Sequence, residues 1–190
     1  MADNRQKLIR SAAQMFMLSG YHGTSIDDIL QHSGVVKSNF YYHFESKNKL
    51  ALAVVDFWTE DYDANLIHPA LGRGSGAVDG LKCLYEIAAS TQRGDDGLVG
   101  CPLAALSSEL ASEMPGVQEK LDVYFSSVAE RICTLLLSDT ELCFSKDRAS
   151  RISLLAVATL EGGLLLSGLR RSDKDIQSAG KALVEFLQEG

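Results

Sequence analysis

Hydrophobic positions recur at i, i+3 and i+4 along most of the chain, so the pattern is helical almost throughout. Leu8, Ile9, Ala12, Ala13 and Phe16 share one face of a first helix over 4–19, and Gly20 is placed to end it. Ile26, Ile29 and Leu30 give a second, short helix one buried stripe. Ser25 is its expected N-cap, and Asp27 and Asp28 put negative charge where the helix dipole favours it. Gly34 supplies the permissive backbone of a tight turn. The next segment, Lys37 to Phe44, places Phe40 and Phe44 on one face at i, i+4. A fourth helix starts at Ser46–Lys47 and carries Leu50, Val54, Phe57, Trp58 and Tyr62 on its apolar side. It is expected to stop near His68, because Pro69 follows.

Gly72, Gly74 and Gly76 then mark a flexible joint, followed by a fifth helix over 77–91 with Leu81, Leu84, Tyr85 and Ala88 in register. RGDDG at 93–97 reads as a loop. Pro102 suits a helix's first turn, so a sixth helix is expected from there to about Met114–Pro115. A seventh covers 116–138 through Val117, Leu121, Tyr124, Phe125, Val128, Ile132 and Leu136. Residues 152–169 are apolar on nearly every side, which predicts a helix buried on more than one face. Eighteen residues is the lower edge of a membrane span, and Glu161 with two glycines would sit at its costliest depth. An interface helix is therefore the better reading, and no membrane association is expected. The last helix, 173–188, sets Ile176, Ala179, Gly180, Leu183, Val184 and Leu187 in helical register. Two helices with more apolar surface than one core needs imply a four-helix bundle shared by two protomers. Its expected contacts are Leu155, Thr159, Gly163, Ser167, Ile176, Leu183 and Leu187, with the small residues permitting close approach.

Composition narrows the class. At 190 residues, 46% hydrophobic and 23% charged, the chain has material for a soluble core, and three prolines with 7% aromatics favour helix over sheet. Four widely spaced cysteines form no C-x-x-C unit, the N-terminus has no signal-peptide pattern, and a cytoplasmic protein with reduced thiols follows. The net charge of −7 is unevenly spread. Residues 1–50 hold six Lys/Arg against four Asp/Glu, while the remainder hold twelve against twenty-one. The local charge of a docking face governs attraction to phosphate, so an acidic remainder is compatible with a nucleic-acid partner.

The segment Thr24 to Lys49 concentrates the chemistry. Lys37, Ser38, Asn39, Tyr41, Tyr42 and His43 offer ammonium, hydroxyl, amide and imidazole groups on a helix too short to fold alone. A helix–turn–helix lays such a second helix in the DNA major groove. The pattern Gly20-Tyr21, Thr24-Ser25, Ile29, Ser33-Gly34-Val35, Tyr41-Tyr42-His43-Phe44, Ser46-Lys47, Leu50 resembles the DNA-binding domain of TetR-type one-component repressors. The resemblance covers about the first fifty residues; a weaker G-C-x-L…E-L-A likeness follows from Gly100. It implies an all-α fold of about nine helices, with a three-helix helix–turn–helix domain at 1–46 and a larger effector-binding and dimerisation domain at 47–190. It also implies a homodimer on near-palindromic double-stranded operator DNA, released by a small, mostly apolar effector. Position by position it assigns DNA contacts to Thr24, Ser25, Lys37, Ser38, Asn39, Tyr41, Tyr42, His43 and Lys47, with one of the two adjacent tyrosines open to an inward role. The chain departs at Val36, where the family usually has Ser or Thr as N-cap of the recognition helix. That helix then starts less well capped by about 1 kcal/mol, or one residue later at Ser38.

Candidates for an effector site are Phe57, Trp58, Tyr62, Tyr85, Cys101, Leu103, Leu106, Phe125 and Ile132, the apolar and aromatic residues of helices four to seven. Cys101, in the first turn of a helix, raises an alternative in which thiol modification by an electrophile or oxidant is the release signal. No P-loop, G-x-S-x-G, H-E-x-x-H or dinucleotide loop occurs, so neither an enzyme, a metal nor a cofactor is implied.

Overall fold

The computed structural model describes residues 2–72, 76–91, 93–94, 97–98, 100–110 and 112–188. The chain runs α1 (Ala2–Ser19), α2 (Ile26–Ser33), α3 (Lys37–His43) and α4 (Lys47–Tyr62). Helix α4 continues without a break through a π turn, Asp63–Ile67, into a last α-helical turn, His68–Leu71. Then follow α5 (Ala77–Thr91), a two-residue antiparallel pair β1 (Arg93–Gly94) and β2 (Gly97–Leu98), α6 (Pro102–Leu110), α7 (Pro115–Ser138), α8 (Lys146–Arg170) and α9 (Lys174–Gln188). Counting α4 with its continuation, the described residues form nine helices, and the all-α expectation holds.

Three boundaries differ from the sequence reading. Pro69 does not end the fourth helix. In the π turn the His68 N–H donates to the Asp63 carbonyl, five residues back, and Pro69 then opens a fresh α-helical turn, where a missing N–H costs little. Helix α6 ends at Leu110, before Met114. The expected loop at 93–97 carries a minimal ladder, Arg93 opposite Leu98 and Gly94 opposite Gly97. Gly74 of the expected joint and residues 95 and 96 lie outside the described residues.

The chain divides into two compact units. The first is Met1–Glu60 with Pro102–Asp122. Its core includes Leu8, Phe16, Ile29, Phe40, Leu50, Val54, Leu103 and Leu110, all buried. This unit runs past the boundary expected at residue 46 because α6 and the turn after it close on the α1–α2 connection. There the His22 N–H donates to Glu109 Oε2 at 3.2 Å, and the His22 ring stands 3.6 Å from Glu113.

The second unit is Asp61–Cys101 with Val123–Gly190. Here α9 packs against both α8 and α5. Two glycines set how closely. A Cβ on Gly163 would stand 3.0 Å from Ile176 Cα, and one on Gly180 would stand 2.5 Å from the Tyr85 ring. The buried Tyr85 hydroxyl donates to the Ala156 carbonyl at 2.9 Å and lies 2.6 Å from Thr159 Oγ1; burial pushes its pKa up to about 12. Ser167 Oγ accepts from the Ile176 N–H at 3.2 Å. The small-residue stripe Thr159, Gly163, Ser167 thus serves packing within the chain rather than the expected contact with a second copy. Ile176, Leu183 and Leu187 are likewise buried, whereas Leu155 remains exposed. Helix α8 is long and apolar enough by composition to cross a membrane, but α5 and α9 pack against it and Glu161 interrupts its apolar run.

Gly180 yields a discriminating test. Replacing Gly by Ala in an open helix gains about 1 kcal/mol from propensity. At Gly180 the added methyl meets the base of the Tyr85 side chain, so Gly180→Ala should lower unfolding stability by about 1–3 kcal/mol. A urea midpoint equal to or above wild type would show that the helices separate without penalty.

Candidate nucleic-acid interface

Local chemistry builds α2 and α3 much as the residue types demand. Ser25 Oγ accepts from the Asp28 N–H at 3.1 Å, and Asp28 Oδ2 accepts in return from the Ser25 N–H at 2.8 Å. This reciprocal capping box also takes the Ser25 hydroxyl, 2.6 Å from Asp28 Oδ2. The hydrogen bonds from Ser25 hold the Asp28 carboxyl below its ordinary value. Gly34 closes α2 in the left-handed conformation at φ 67°, and its N–H donates to the Leu30 carbonyl. Helix α3 then starts at Lys37 with Val36 as N-cap and no side-chain cap bond, the first of the two expected outcomes.

Phe40 and Phe44 point into the core, with ring centroids 6.1 Å apart. The remaining side chains of α3 are thereby turned outward. Lys37 and Ser38 are exposed and Asn39 and His43 half-exposed. Tyr41 and Tyr42 are 52% and 72% exposed, so neither of the adjacent tyrosines is core. Tyr41 meets Phe40 edge-on at 5.2 Å and Tyr42 meets His43 edge-on at 4.9 Å, which holds the outer rings without hiding them. Lys37 Nζ lies 3.3 Å from Asp27 Oδ1 on α2, an exposed pair that a phosphate can displace cheaply.

Two expected DNA contacts are placed differently. Thr24 is only 1% exposed, and its hydroxyl donates to the Gly20 carbonyl at 2.8 Å. It ties the end of α1 to the start of α2 and is out of a phosphate's reach. Lys47 Nζ donates to the Tyr21 carbonyl at 2.6 Å and sits 3.9 Å from the Tyr21 ring centroid. Desolvation lowers the Lys47 pKa, with Glu109 opposing. The Tyr21 hydroxyl donates to Asn48 Oδ1 at 2.6 Å. Tyr21, Lys47 and Asn48 therefore form a lock that sets where α4 begins. Sequence periodicity carried no signal for it, because its partners are 26 and 27 residues apart. Arg5 stacks over the Phe44 ring at 5.5 Å, adding a cation beside the end of α3.

Residues 8–54 match the model of the bacterial regulatory proteins of the tetR family, and residues 77–182 match that of the LmrA/YxaF-like transcriptional regulator C-terminal domain. The chain belongs to the TetR family. As a TetR-family protein it is a DNA-binding transcriptional regulator, and the family's members are regulators rather than enzymes. It is 27% identical over 187 residues to the HTH-type transcriptional regulator LmrA of Bacillus subtilis, covering 98% of this chain and 97% of that one. Over 83 residues it is 32% identical to IcaR of Staphylococcus aureus, the negative transcriptional regulator of the biofilm operon icaADBC, covering 43% and 44% of the two chains. A solved TetR transcriptional regulator from Chloroflexus aurantiacus superposes with a TM-score of 0.85 at 26% identity, over 98% of this chain and 95% of that one.

In this TetR-family chain the nine expected effector residues fall in both compact units. Phe57, Trp58, Leu103 and Leu106 belong to the first unit; Tyr62, Tyr85, Cys101, Phe125 and Ile132 belong to the second. A groove of about 820 Å³ opens between α5 and α9, and of the nine only Tyr85 lines it, beside Glu86, Gly180 and Lys181. Cys101 is buried, and its thiol donates to the Glu161 carboxyl. Among the described residues no cluster of His, Cys, Asp and Glu is placed to hold a metal.

Two outcomes follow from the capping geometry. Val36→Ser should stabilise α3 by about 1 kcal/mol, seen as slower amide exchange across 38–43; unchanged exchange would mean the missing cap is already compensated. For Asp28 the folded-state pKa is depressed, so its capping contribution is complete above the ordinary carboxylate range and disappears as pH falls through the folded value. A carboxyl NMR titration should place the Asp28 midpoint below 3.8, and a midpoint at or above it would contradict the capping box.

Proposed function

We propose that this regulator is a cytoplasmic homodimeric repressor. It binds near-palindromic operator DNA through paired α3 helices and is released by a small, mostly apolar effector held in the second unit. The observation that carries the reading is the outward set Ser38, Asn39, Tyr41, Tyr42 on α3, fixed by inward Phe40 and Phe44. Lys37, Ser38 and Asn39 lie in the first turn, the part of a recognition helix nearest base edges. Ser25, Tyr41, Tyr42 and His43 would hold phosphates and fix the register. Repression is the reading favoured by the negative role named for IcaR.

The dimer reading is supported by apolar surface on α8. Leu154 and Leu155 are exposed, as are Leu165 and Leu166 eleven residues on, about three helical turns and so on the same face. Leu169 and Phe186 add to it. Each such side chain gains roughly 1.5–3 kcal/mol on full burial. A dimer places two recognition helices in successive major grooves about 34–36 Å apart. Residues of both α4 and α7 fall in both compact units, so displacement of either helix by an effector carries from one unit to the other. A coupling of about 1–3 kcal/mol would give a 5- to 150-fold response. Cys101 is 8% exposed with its thiol on Glu161, so we read it as part of a buried polar cluster rather than as a thiol sensor.

Selection from random duplex DNA should return a near-palindromic consensus whose affinity falls steeply with salt. Tyr42→Ala should weaken binding evenly across sequences, whereas Asn39→Ala should change the preferred base at one position of each half-site. A uniform loss for Asn39→Ala would remove it from base reading. Leu165→Glu should yield monomers by sedimentation and lose operator binding together, and a dimeric Leu165→Glu protein would move the interface elsewhere.

A further inference from the structure

Half-buried Glu161, with one carboxylate oxygen wholly inside, is the ionisable group that regulator architecture leaves unexplained. It lies midway along α8, within the apolar run that otherwise packs the second unit. Its Oε2 is fully buried and has no hydrogen-bond partner among the described residues. The carboxyl accepts from the Cys101 thiol, one of the weakest donors a protein has. Burial of a carboxylate with so little compensation is costly and raises its pKa, as seen here.

The nearby charges do not neutralise it. Arg131 of α7 pairs with Asp63 of the π turn, and these two satisfy each other. Burial pushes the pKa of the Tyr124 hydroxyl, on α7, upward, and the nearby Cys101, Asp63 and Glu161 add to this while Arg131 opposes it. Four separate pieces of the second unit thus meet around one unmatched negative group: α7, α8, the residue before α6, and the π turn that ends α4. A π turn inserts one extra residue into a helix and recurs at binding sites. The surroundings are aromatic and aliphatic, with Leu160 and Leu164 beside Glu161 on α8 and Tyr124 opposite.

We propose that Glu161 is the anchor of a ligand subsite for an organic cation, an aromatic or aliphatic molecule carrying one protonated amine. The amine would donate to Oε2 and replace the water that burial removes, while the apolar body packs among the surrounding side chains. This rests on the effector-release reading and narrows it, because an apolar effector without a positive charge would leave Glu161 unmatched. Since Asp63, the partner of Arg131, lies in the continuation of α4, occupation at Glu161 acts beside the helix that leads to the recognition domain.

The test uses two fluorophores of matched chain length that differ by the amine, dansylcadaverine (cationic at neutral pH) and N-pentyl dansylamide (neutral), titrated against the full chain. Wild type should bind the cationic probe about tenfold or more tightly over the neutral one, and Glu161→Gln should reduce that ratio to about twofold or less. Glu161→Gln should also melt at or above the wild-type temperature without ligand, since it removes an uncompensated buried charge. Equal affinities in wild type, a ratio unchanged in Glu161→Gln, or no saturable binding of either probe overturns the subsite. A Glu161→Gln protein that melts lower and keeps the probe preference gives Glu161 a structural role only and also overturns it. Adding each probe to the operator complex separates the two readings. Glu161-dependent binding that leaves DNA bound keeps the subsite and removes effector release. Release by a neutral apolar compound, with no amine preference, does the reverse.

Discussion

Burial of Phe40 and Phe44 holds a seven-residue helix that has no stability of its own, and its outward polar face exists only because those two rings are inside. A helix this short makes too few internal hydrogen bonds to offset the entropy of ordering it. Its N-cap is a valine, which contributes nothing to the first turn. Anchoring therefore falls to tertiary contacts, and removing either ring would cost several kcal/mol, on the order of 3–5 for a buried phenylalanine. The same two side chains fix rotation about the helix axis. With i and i+4 pointing inward, Ser38, Asn39, Tyr41 and Tyr42 have nowhere to go but outward.

Around that anchor the first unit is fastened by polar contacts with few alternatives. The capping box starts α2, the left-handed Gly34 ends it, and the Tyr21–Lys47–Asn48 lock starts α4. Lys47 illustrates how a residue of the right type for one task is committed to another. Its ammonium is taken up by a carbonyl and an aromatic face, so its charge is presented to the fold before it is presented to any ligand. In the second unit the organising device is steric. Gly180 lets α9 approach α5 to a distance at which any side chain would collide, Gly163 lets it pack tightly on α8, and the Tyr85 hydroxyl of α5 finds its acceptor on α8.

The second unit also contains the chain's main departure from an all-apolar interior. Glu161, Cys101, Tyr124 and the Asp63–Arg131 pair place polar groups where α7 and α8 meet the end of α4. The π turn at Asp63–Ile67 gives that end of α4 a wider and less regular backbone than a plain helix.

Periodicity by itself determined the helical fold, the order of the helices, the helix–turn–helix and the shared face of Phe40 and Phe44 on α3, while the outward placement of both Tyr41 and Tyr42 came only with the tertiary structure. The former are local properties, set by 3.6-residue spacing and by caps and turns whose partners lie within a few positions. What the tertiary structure decided was every choice among equivalent faces. Helix α8 is apolar nearly all round, so its pattern could not say which stripe meets α9 and which is left bare; Gly163 and Ser167 went inward with Leu160 and Leu164, and Leu154, Leu155, Leu165, Leu166 and Leu169 outward. Thr24 and Lys47 were chemically suited to phosphate, yet backbone carbonyls claimed them first, that of Gly20 one turn back for Thr24 and that of the distant Tyr21 for Lys47. Pro69 was read as a stop because a π turn, which shifts hydrogen bonding by one residue, leaves no mark in composition. The split of the expected effector residues between two units, and the unmatched carboxylate of Glu161, depend on long-range packing that no local window contains.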